Sequence, residues 1–235
     1  MKQKVGGREN RGIGIMSPIL GVIFDLDGTL LDTIEDIAAA SNLVYGARGL
    51  APFSIGEMKK LVGEGAEELV RKAFAARGLP APGDAEMAAI IRDYRREYER
   101  CWRLHSRPYA GVPEMLGELA RRGVRTAVLS NKAQTFTVLM TEELLGAHRF
   151  DVVRGALPGV PLKPDPAPAL AIAAELAVPP AACAFVGDTS IDMLTARAAG
   201  MFAIGALWGF RTAEELVAAG ADVLLGAPAE LPGAI

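Results

Sequence analysis

The chain has 235 residues, of which 51% are hydrophobic and 23% charged, with a net charge of −3 at neutral pH. That length suits one good core, or a core with a smaller second domain, in an ordinary globular composition. A slightly acidic chain with no basic stripe interleaved with aromatics argues against nucleic acid or an anionic membrane as partner, and no apolar stretch reaches the roughly 18 residues of a membrane span.

Met1 to Met16 are basic and glycine-rich with no apolar run, so they do not read as a secretory signal. Residues 1–17 are expected to be a disordered extension. The apolar run Gly21 to Phe24 reads as a buried parallel strand. From Ile34 the pattern turns helical, with Ile34, Ile37, Ala38 and Ser41 on one face and a stop near Gly46 to Gly49. Helices are then expected over 54–62, 66–77 and 84–104. Ser54 with Glu57 is a capping-box signal, and Gly78-Leu79-Pro80 a stop. Nothing between Ile34 and Ser106 resembles a strand. From Val112 helix and strand alternate: helices over 112–122, 134–144, 166–176, 191–199 and 213–219, strands over 125–129, 151–154, 182–186, 202–207 and 222–224. Such alternation predicts an α/β fold, a parallel sheet with helices on both faces, carrying an all-helical insert after the first strand. Cys101 and Cys183 have no metal-ligand spacing, and a reducing, cytoplasmic setting is expected. His105 and His148 have no partner ligand at useful spacing and read as structural or surface residues. Tyr94, Tyr98 and Trp102 share one side of the long helix and read as packing.

The segment Ile23-Phe-Asp-Leu-Asp-Gly-Thr-Leu-Leu-Asp-Thr33 carries the chemistry. Asp25 and Asp27, spaced i and i+2, leave the strand on one face. Two like charges roughly 4 Å apart repel by about 4 kcal/mol at an effective dielectric of 20. Such a pair implies a cation, a shared proton, or both, unless it is only an acidic strand exit, since Asp-Gly is ordinary turn chemistry.

This segment resembles the nucleophile motif of the haloacid dehalogenase superfamily in its two-aspartate, phosphatase form. Three further positions of that family's pattern follow in order: Ser130 before Asn131-Lys132; Lys163 in Pro161-Leu-Lys-Pro-Asp-Pro166; and Gly187-Asp188 with Asp192 four residues on. The resemblance implies a Rossmann-like, doubly wound core over residues 18–33 and 107–235, with residues 34–106 as a mobile cap. Pro108 to Gly111 and Asp32-Thr33 would be the hinge strands. It implies that Asp25 is the nucleophile and becomes an aspartyl-phosphate. Asp27 would be the general acid, then the base that activates water. An ordinary aspartate, with a pKa of about 3.9, holds no proton at pH 7, so cap closure and loss of water are expected to raise it. Mg²⁺ would be held by the Asp25 carboxylate, the Asp27 carbonyl and Asp188, with Asp192 orienting its waters. Ser130 and the Asn131 amide would bind a phosphoryl oxygen and Lys163 would sit near Asp25. Thr29 would support the site, while Gly28 would let the backbone approach the phosphate. Gly187-Asp188-Thr189 also reads as a helix N-cap.

Several stretches, Leu61 to Val70, Pro161 to Pro168, Val186 to Ala199 and the tail from Trp208, are similar to the phosphoglycolate phosphatase branch. The partner implied is a small phosphorylated metabolite, 2-phosphoglycolate first. Gly65, within Gly63 to Gly65, and Arg71 could take up its carboxylate, although the same residues read equally as a helix-start turn. A sugar-phosphate phosphatase, a pyrophosphatase or a hexose-phosphate mutase would share every catalytic residue. A receiver-type signalling domain also combines acids, Ser/Thr and Lys on a parallel sheet, but needs about half this length and has no helical insert.

Overall fold

The computed structural model describes residues 18–235, so the extension expected over residues 1–17 lies outside the described residues. The chain divides into two units. One comprises the chain up to Leu30 together with Pro108–Ile235, the other Leu31–Arg107.

After β1 (Gly21–Phe24) the chain enters the helical unit through β2 (Leu31–Asp32), α1 (Ile34–Gly46), α2 (Ile55–Leu61), α3 (Ala66–Ala76) and α4 (Asp84–Cys101). It leaves through β3 (Arg107–Pro108), which pairs with β2. Strand and helix then alternate: α5 (Val112–Arg121), β4 (Arg125–Ala133), α6 (Gln134–Leu145), β5 (Val152–Ala156), α7 (Ala167–Glu175), β6 (Cys183–Gly187), α8 (Ser190–Ala199), β7 (Phe202–Ala206), α9 (Ala213–Ala218) and β8 (Val223–Leu225). Short 3-10 helices cover Pro180–Ala182 and Pro228–Gly233.

The sheet has the order β5-β4-β1-β6-β7-β8, and neighbouring strands are parallel throughout. This is the Rossmann-like α/β architecture expected from the alternation. β1 is central, with Phe24 in register between Val128 and Val186. A strand covered by helices on both faces is apolar without interruption, and Val22, Ile23 and Phe24 are all fully buried. Ile23, Leu129, Ile172, Phe185 and Met193 belong to one packed cluster, each contributing about 1.5–3 kcal/mol through burial. Strand order reverses at β1: the chain builds β4 and β5 on one side, then crosses to β6, β7 and β8 on the other. Open α/β sheets bind ligands beyond the carboxyl ends of the strands at such a reversal. Asp25 follows β1 and Asp188 follows β6, side by side at that point.

Most element ends fall within a residue or two of expectation, and three differences bear on how the chain is organised. β4 does not stop at Leu129 but runs to Ala133 through a register irregularity against β5. Ser-Asn-Lys reads as a turn by composition, yet tertiary hydrogen bonds described below hold it extended. α4 ends at Cys101, not Leu104, with Trp102 as its C-cap. The paired connecting strands are Leu31–Asp32 and Arg107–Pro108, not Asp32-Thr33 and Pro108 to Gly111.

Within the helical unit, Tyr45, Met58, Ile90, Tyr98 and Trp102 are buried, and Tyr94 stacks on Tyr98 with ring centroids 5.5 Å apart. The capping box at α2 is present: Ser54 Oγ accepts from Glu57 N–H and the Glu57 carboxylate accepts from Ser54 N–H. No helix among the described residues is long and apolar enough to cross a membrane.

The two ends of this unit are joined by one buried acid. Asp36, in the first turn of α1, accepts hydrogen bonds from the main-chain N–H groups of His105 and Ser106 and from the Ser106 hydroxyl, at 2.7–3.1 Å. Removing the acceptor strands two main-chain donors, at about 1–3 kcal/mol each. Asp36→Ala should therefore destabilise the helical unit by about 3 kcal/mol. Urea unfolding followed by Trp102 fluorescence, in a Trp208→Phe background, measures this, and an unchanged midpoint would contradict it.

Candidate active site

The site begins where β1 ends. Asp25 N–H donates to the Val186 carbonyl at 2.9 Å, carrying the β1–β6 pairing one residue past the strand and fixing Asp25 at its tip. The chain then turns tightly, with Thr29 and Leu30 N–H both donating to the Leu26 carbonyl. Gly28 occupies this turn at φ +90°, and a Cβ there would lie 2.3 Å from Asp188 Oδ2. Its glycine identity thus answers both to backbone conformation and to the close approach of Asp188.

β6 delivers the second acid. Asp188 is fully buried; its Oδ1 accepts from the Thr29 hydroxyl at 2.9 Å and its Oδ2 from Phe210 N–H at 2.8 Å. α8 starts directly afterwards with Thr189 as N-cap, in a capping box with Asp192. Asp192 Oδ2 accepts from the Thr189 N–H and hydroxyl, leaving Oδ1 to receive the Lys163 ammonium at 2.7 Å. The N-cap reading of this segment and its acidic chemistry are therefore both present.

Lys163 lies between Asp192 and Asp25, 2.8 Å from Asp25 Oδ1, with its side chain 1% exposed. Its backbone is clamped by Asn131, whose Nδ2 donates to the Lys163 carbonyl and whose Oδ1 accepts from the Lys163 N–H. The Asn131 side chain is thereby committed to the lysine loop. Ser130 is buried, and its Oγ accepts from Lys132 N–H at 3.2 Å.

The electrostatics of this cluster are unbalanced. Carboxylate oxygens of Asp25, Asp188 and Asp192 lie within 4.8 Å of one another, all buried, with the Lys163 ammonium paired to Asp25 and Asp192. Three buried carboxyl groups crowd around one ammonium. Burial pushes the Asp25 carboxyl up to about 7, a rise that Lys163 opposes and Asp192 reinforces. Burial likewise holds Asp188 well above the usual carboxylate range, with Asp192 and Asp25 adding to the effect. Burial by itself would lower the Lys163 ammonium, yet Asp192 and Asp25 more than offset it and keep it above the ordinary lysine range. The buried Asp25 Oδ1 receives no hydrogen bond of good geometry, its ion-pair neighbour being Lys163. A cradle of three buried carboxyl groups, all of them oxygen donors, fits a hard divalent cation.

Of the residues singled out from sequence, Asp25, Gly28, Thr29, Ser130, Asn131, Lys163, Asp188 and Asp192 are drawn together by the interactions above. Asp27 joins through Lys132, whose ammonium lies 3.1 Å from the Asp27 carboxylate. Lys132 was not anticipated as a site residue. The available signal was the two-residue period of an extended strand, which puts Lys132 on the face of Ser130. Phe210 was also missed, because a main-chain donor leaves no mark in a sequence. Gly65 and Arg71 belong to the helical unit, Gly65 as the N-cap residue of α3 at φ +89° and Arg71 exposed on that helix.

Comparison with known proteins accords with this geometry. The model of the family described as haloacid dehalogenase-like hydrolase matches residues 22–206. A phosphoglycolate phosphatase of Xylella fastidiosa strain Temecula1 is 34% identical over 194 residues, covering 83% of this chain and 82% of that protein. An N-acetylmuramic acid 6-phosphate phosphatase of Pseudomonas aeruginosa is 32% identical over 211 residues, covering 89% and 92%. Among solved structures, a candidate phosphoglycolate phosphatase of Lactobacillus delbrueckii subsp. bulgaricus superposes with a TM-score of 0.87 at 28% identity, over 93% of this chain and 99% of that one. By its sequence, its sheet and its acidic cluster, the chain belongs to the haloacid dehalogenase-like hydrolase family and is a phosphatase.

Proposed function

We propose that the protein is a Mg²⁺-dependent phosphomonoesterase that works through an aspartyl-phosphate on Asp25, with 2-phosphoglycolate as its preferred substrate. The observation that carries the mechanism is the buried Asp25 carboxylate, flanked by one ammonium and two further acids.

Phosphoryl transfer needs an in-line nucleophile, positive charge on the transferring oxygens and a proton for the leaving group. Asp25, Asp188 and the Asp27 main-chain carbonyl would hold the ion, with Asp192 beside them. When bound, Mg²⁺ supplies the charge that three crowded carboxylates lack and favours the ionised form of Asp25. Lys163 adds charge beside the nucleophile, while Ser130 stands ready to donate to a non-transferring oxygen. In the first half-reaction Asp25 attacks phosphorus, the P–O bond to the alkoxide breaks, and Asp27 gives that oxygen a proton. In the second, Asp27 takes a proton from water as the water attacks phosphorus and the P–O bond to Asp25 breaks. Lys132 pairs with the Asp27 carboxylate and holds it in place.

The substrate assignment rests on similarity to phosphoglycolate phosphatases over most of the chain. A sugar-phosphate substrate is the second reading, because the N-acetylmuramic acid 6-phosphate phosphatase is nearly as similar. Gly65 and Arg71 are the residues we would assign to a substrate carboxylate.

Rapid quenching with borohydride should reduce a phosphorylated Asp25, identifiable by mass spectrometry. Asp25→Asn should give no such product, and Asp27→Asn should lower kcat on alkyl phosphates by about 10²–10⁴-fold. EDTA should abolish turnover and Mg²⁺ restore it. Turnover that persists in chelator, or an intact enzyme never labelled at Asp25, would contradict the mechanism. A kcat/KM comparison of 2-phosphoglycolate with N-acetylmuramic acid 6-phosphate, pyrophosphate and hexose phosphates decides the substrate, and a preference for a sugar phosphate would replace the first reading by the second.

The last outcome concerns pH. The Asp25 carboxyl is raised from 3.8 to about 7 by burial, so the folded protein binds its proton more tightly than the unfolded chain does. Stabilisation from this group is full below the unfolded pKa and lost as pH rises through about 7. In chelator, wild-type stability relative to Asp25→Asn should therefore fall between pH 5 and pH 8. Mg²⁺ should reverse that fall in the wild type only. Parallel pH profiles of the two proteins in thermal unfolding would overturn this.

A further inference from the structure

We propose that the turn after β7 is a positioning element for the metal site, and that Trp208 and Gly209 are positioning residues that set divalent-cation affinity through Asp188. This rests on the reading of Asp188 as a metal ligand.

The turn is fastened at both ends. Leu207 N–H donates to the Leu225 carbonyl at 3.0 Å. Beyond the turn, Arg211 pairs with Glu215, and Glu215 also receives the hydroxyl of Ser190, the first residue of α8. Between these anchors three consecutive residues meet the catalytic loops. The Trp208 indole N–H donates to the Thr29 carbonyl at 2.9 Å, and Phe210 N–H donates to Asp188 Oδ2 at 2.8 Å. Gly209 lies against the acid itself: a Cβ there would be 2.2 Å from Asp188 Cβ and 2.4 Å from the Gly28 carbonyl oxygen. The need for glycine at 209 is one of space.

The Asp188 carboxylate is thus seated between two chain segments, 28–29 and 208–210, held by the Thr29 hydroxyl on one side and the Phe210 N–H on the other. One donor on each oxygen fixes the plane and rotation of the group, and the remaining lone pairs are those available to a cation shared with Asp25. Trp208 acts one step further out. By tying the Thr29 carbonyl it holds the backbone from which the Thr29 hydroxyl reaches Asp188. Partners that orient a ligating carboxylate typically change metal affinity by 10–100-fold when removed.

The test is Mn²⁺ binding to the full-length protein, read as free Mn²⁺ by electron paramagnetic resonance, with thermal unfolding in EDTA as the control for folding. Gly209→Ala should weaken Mn²⁺ binding at least tenfold. Trp208→Phe keeps an aromatic ring, though a smaller one, and loses the N–H, so its effect should be about fivefold, the value of one hydrogen bond. Both should occur without a matching change in the EDTA unfolding midpoint, a separation that a purely structural role would not give. Should Gly209→Ala fail to fold, Trp208→Phe decides alone. Asp188→Asn separates the two levels. If it loses Mn²⁺ while folded Gly209→Ala and Trp208→Phe bind as wild type, the positioning role is wrong and the ligand reading stands. If Asp188→Asn itself binds as wild type, the ligand reading fails and the inference with it.

Discussion

A lysine buried among carboxylates is the constraint around which the site is arranged. An unpaired ammonium the size of that on Lys163 costs several kcal/mol to remove from water, and it is tolerated because Asp25 and Asp192 lie within hydrogen-bonding distance on either side. The lysine in turn offsets part of the repulsion among three acids crowded within 4.8 Å. Neither arrangement would persist alone. Together they still leave the acids crowded, and burial with mutual repulsion holds Asp25 and Asp188 above the usual carboxylate range. Proteins violate the rules of stable packing at functional sites and compensate elsewhere. Here the compensation is the fully apolar β1 and β6 beneath the acids.

Precision in the cluster comes from backbone contacts more than from side-chain pairing. Asn131 spends both ends of its amide on the main chain of Lys163. The helix N-cap of α8 fixes Asp192 through Thr189. Asp188 is held from two backbone segments, and Asp25 by continuation of the sheet ladder. Groups held in this way need little reorganisation when charge develops on a transferring phosphoryl group, the condition under which electrostatic stabilisation is most effective.

The sequence made the sheet, its helices and the helical insert legible because each depends on local periodicity: Val22 to Phe24 as an uninterrupted apolar run, Ser54 and Glu57 as a cap. The order of Asp25, Ser130, Lys163 and Asp188 was legible because it follows the family's pattern, and Asp25 and Asp188 directly follow the apolar runs of β1 and β6. What escaped was non-local. Ser130 to Lys132 is polar enough to read as a turn, and the contacts with Lys163 and Asp27, with the pairing of Ala133 against β5, hold it extended from far away in the chain. Phe210 contributes an N–H that any residue but proline would supply. Gly209 could be quoted as part of a familiar stretch, but its need for space appears only when Asp188 is seen against it.

The proposed reaction and the proposed substrate make unequal demands on the chain. Transfer through a carboxylate requires a nucleophile, an acid, a cation and an ammonium within a few ångströms, which restricts many positions at once. Recognition of the rest of the substrate places no such joint demand. A few main-chain N–H groups at Gly63 to Gly65 and one cation at Arg71 would serve a carboxylate, yet a glycine that starts a helix and an exposed arginine need no ligand to explain them. Helix starts use glycine for its conformational freedom alone, here φ +89° at Gly65. The same residues therefore satisfy the local fold with or without a ligand, and specificity has to be read from turnover rather than from the pattern of the chain.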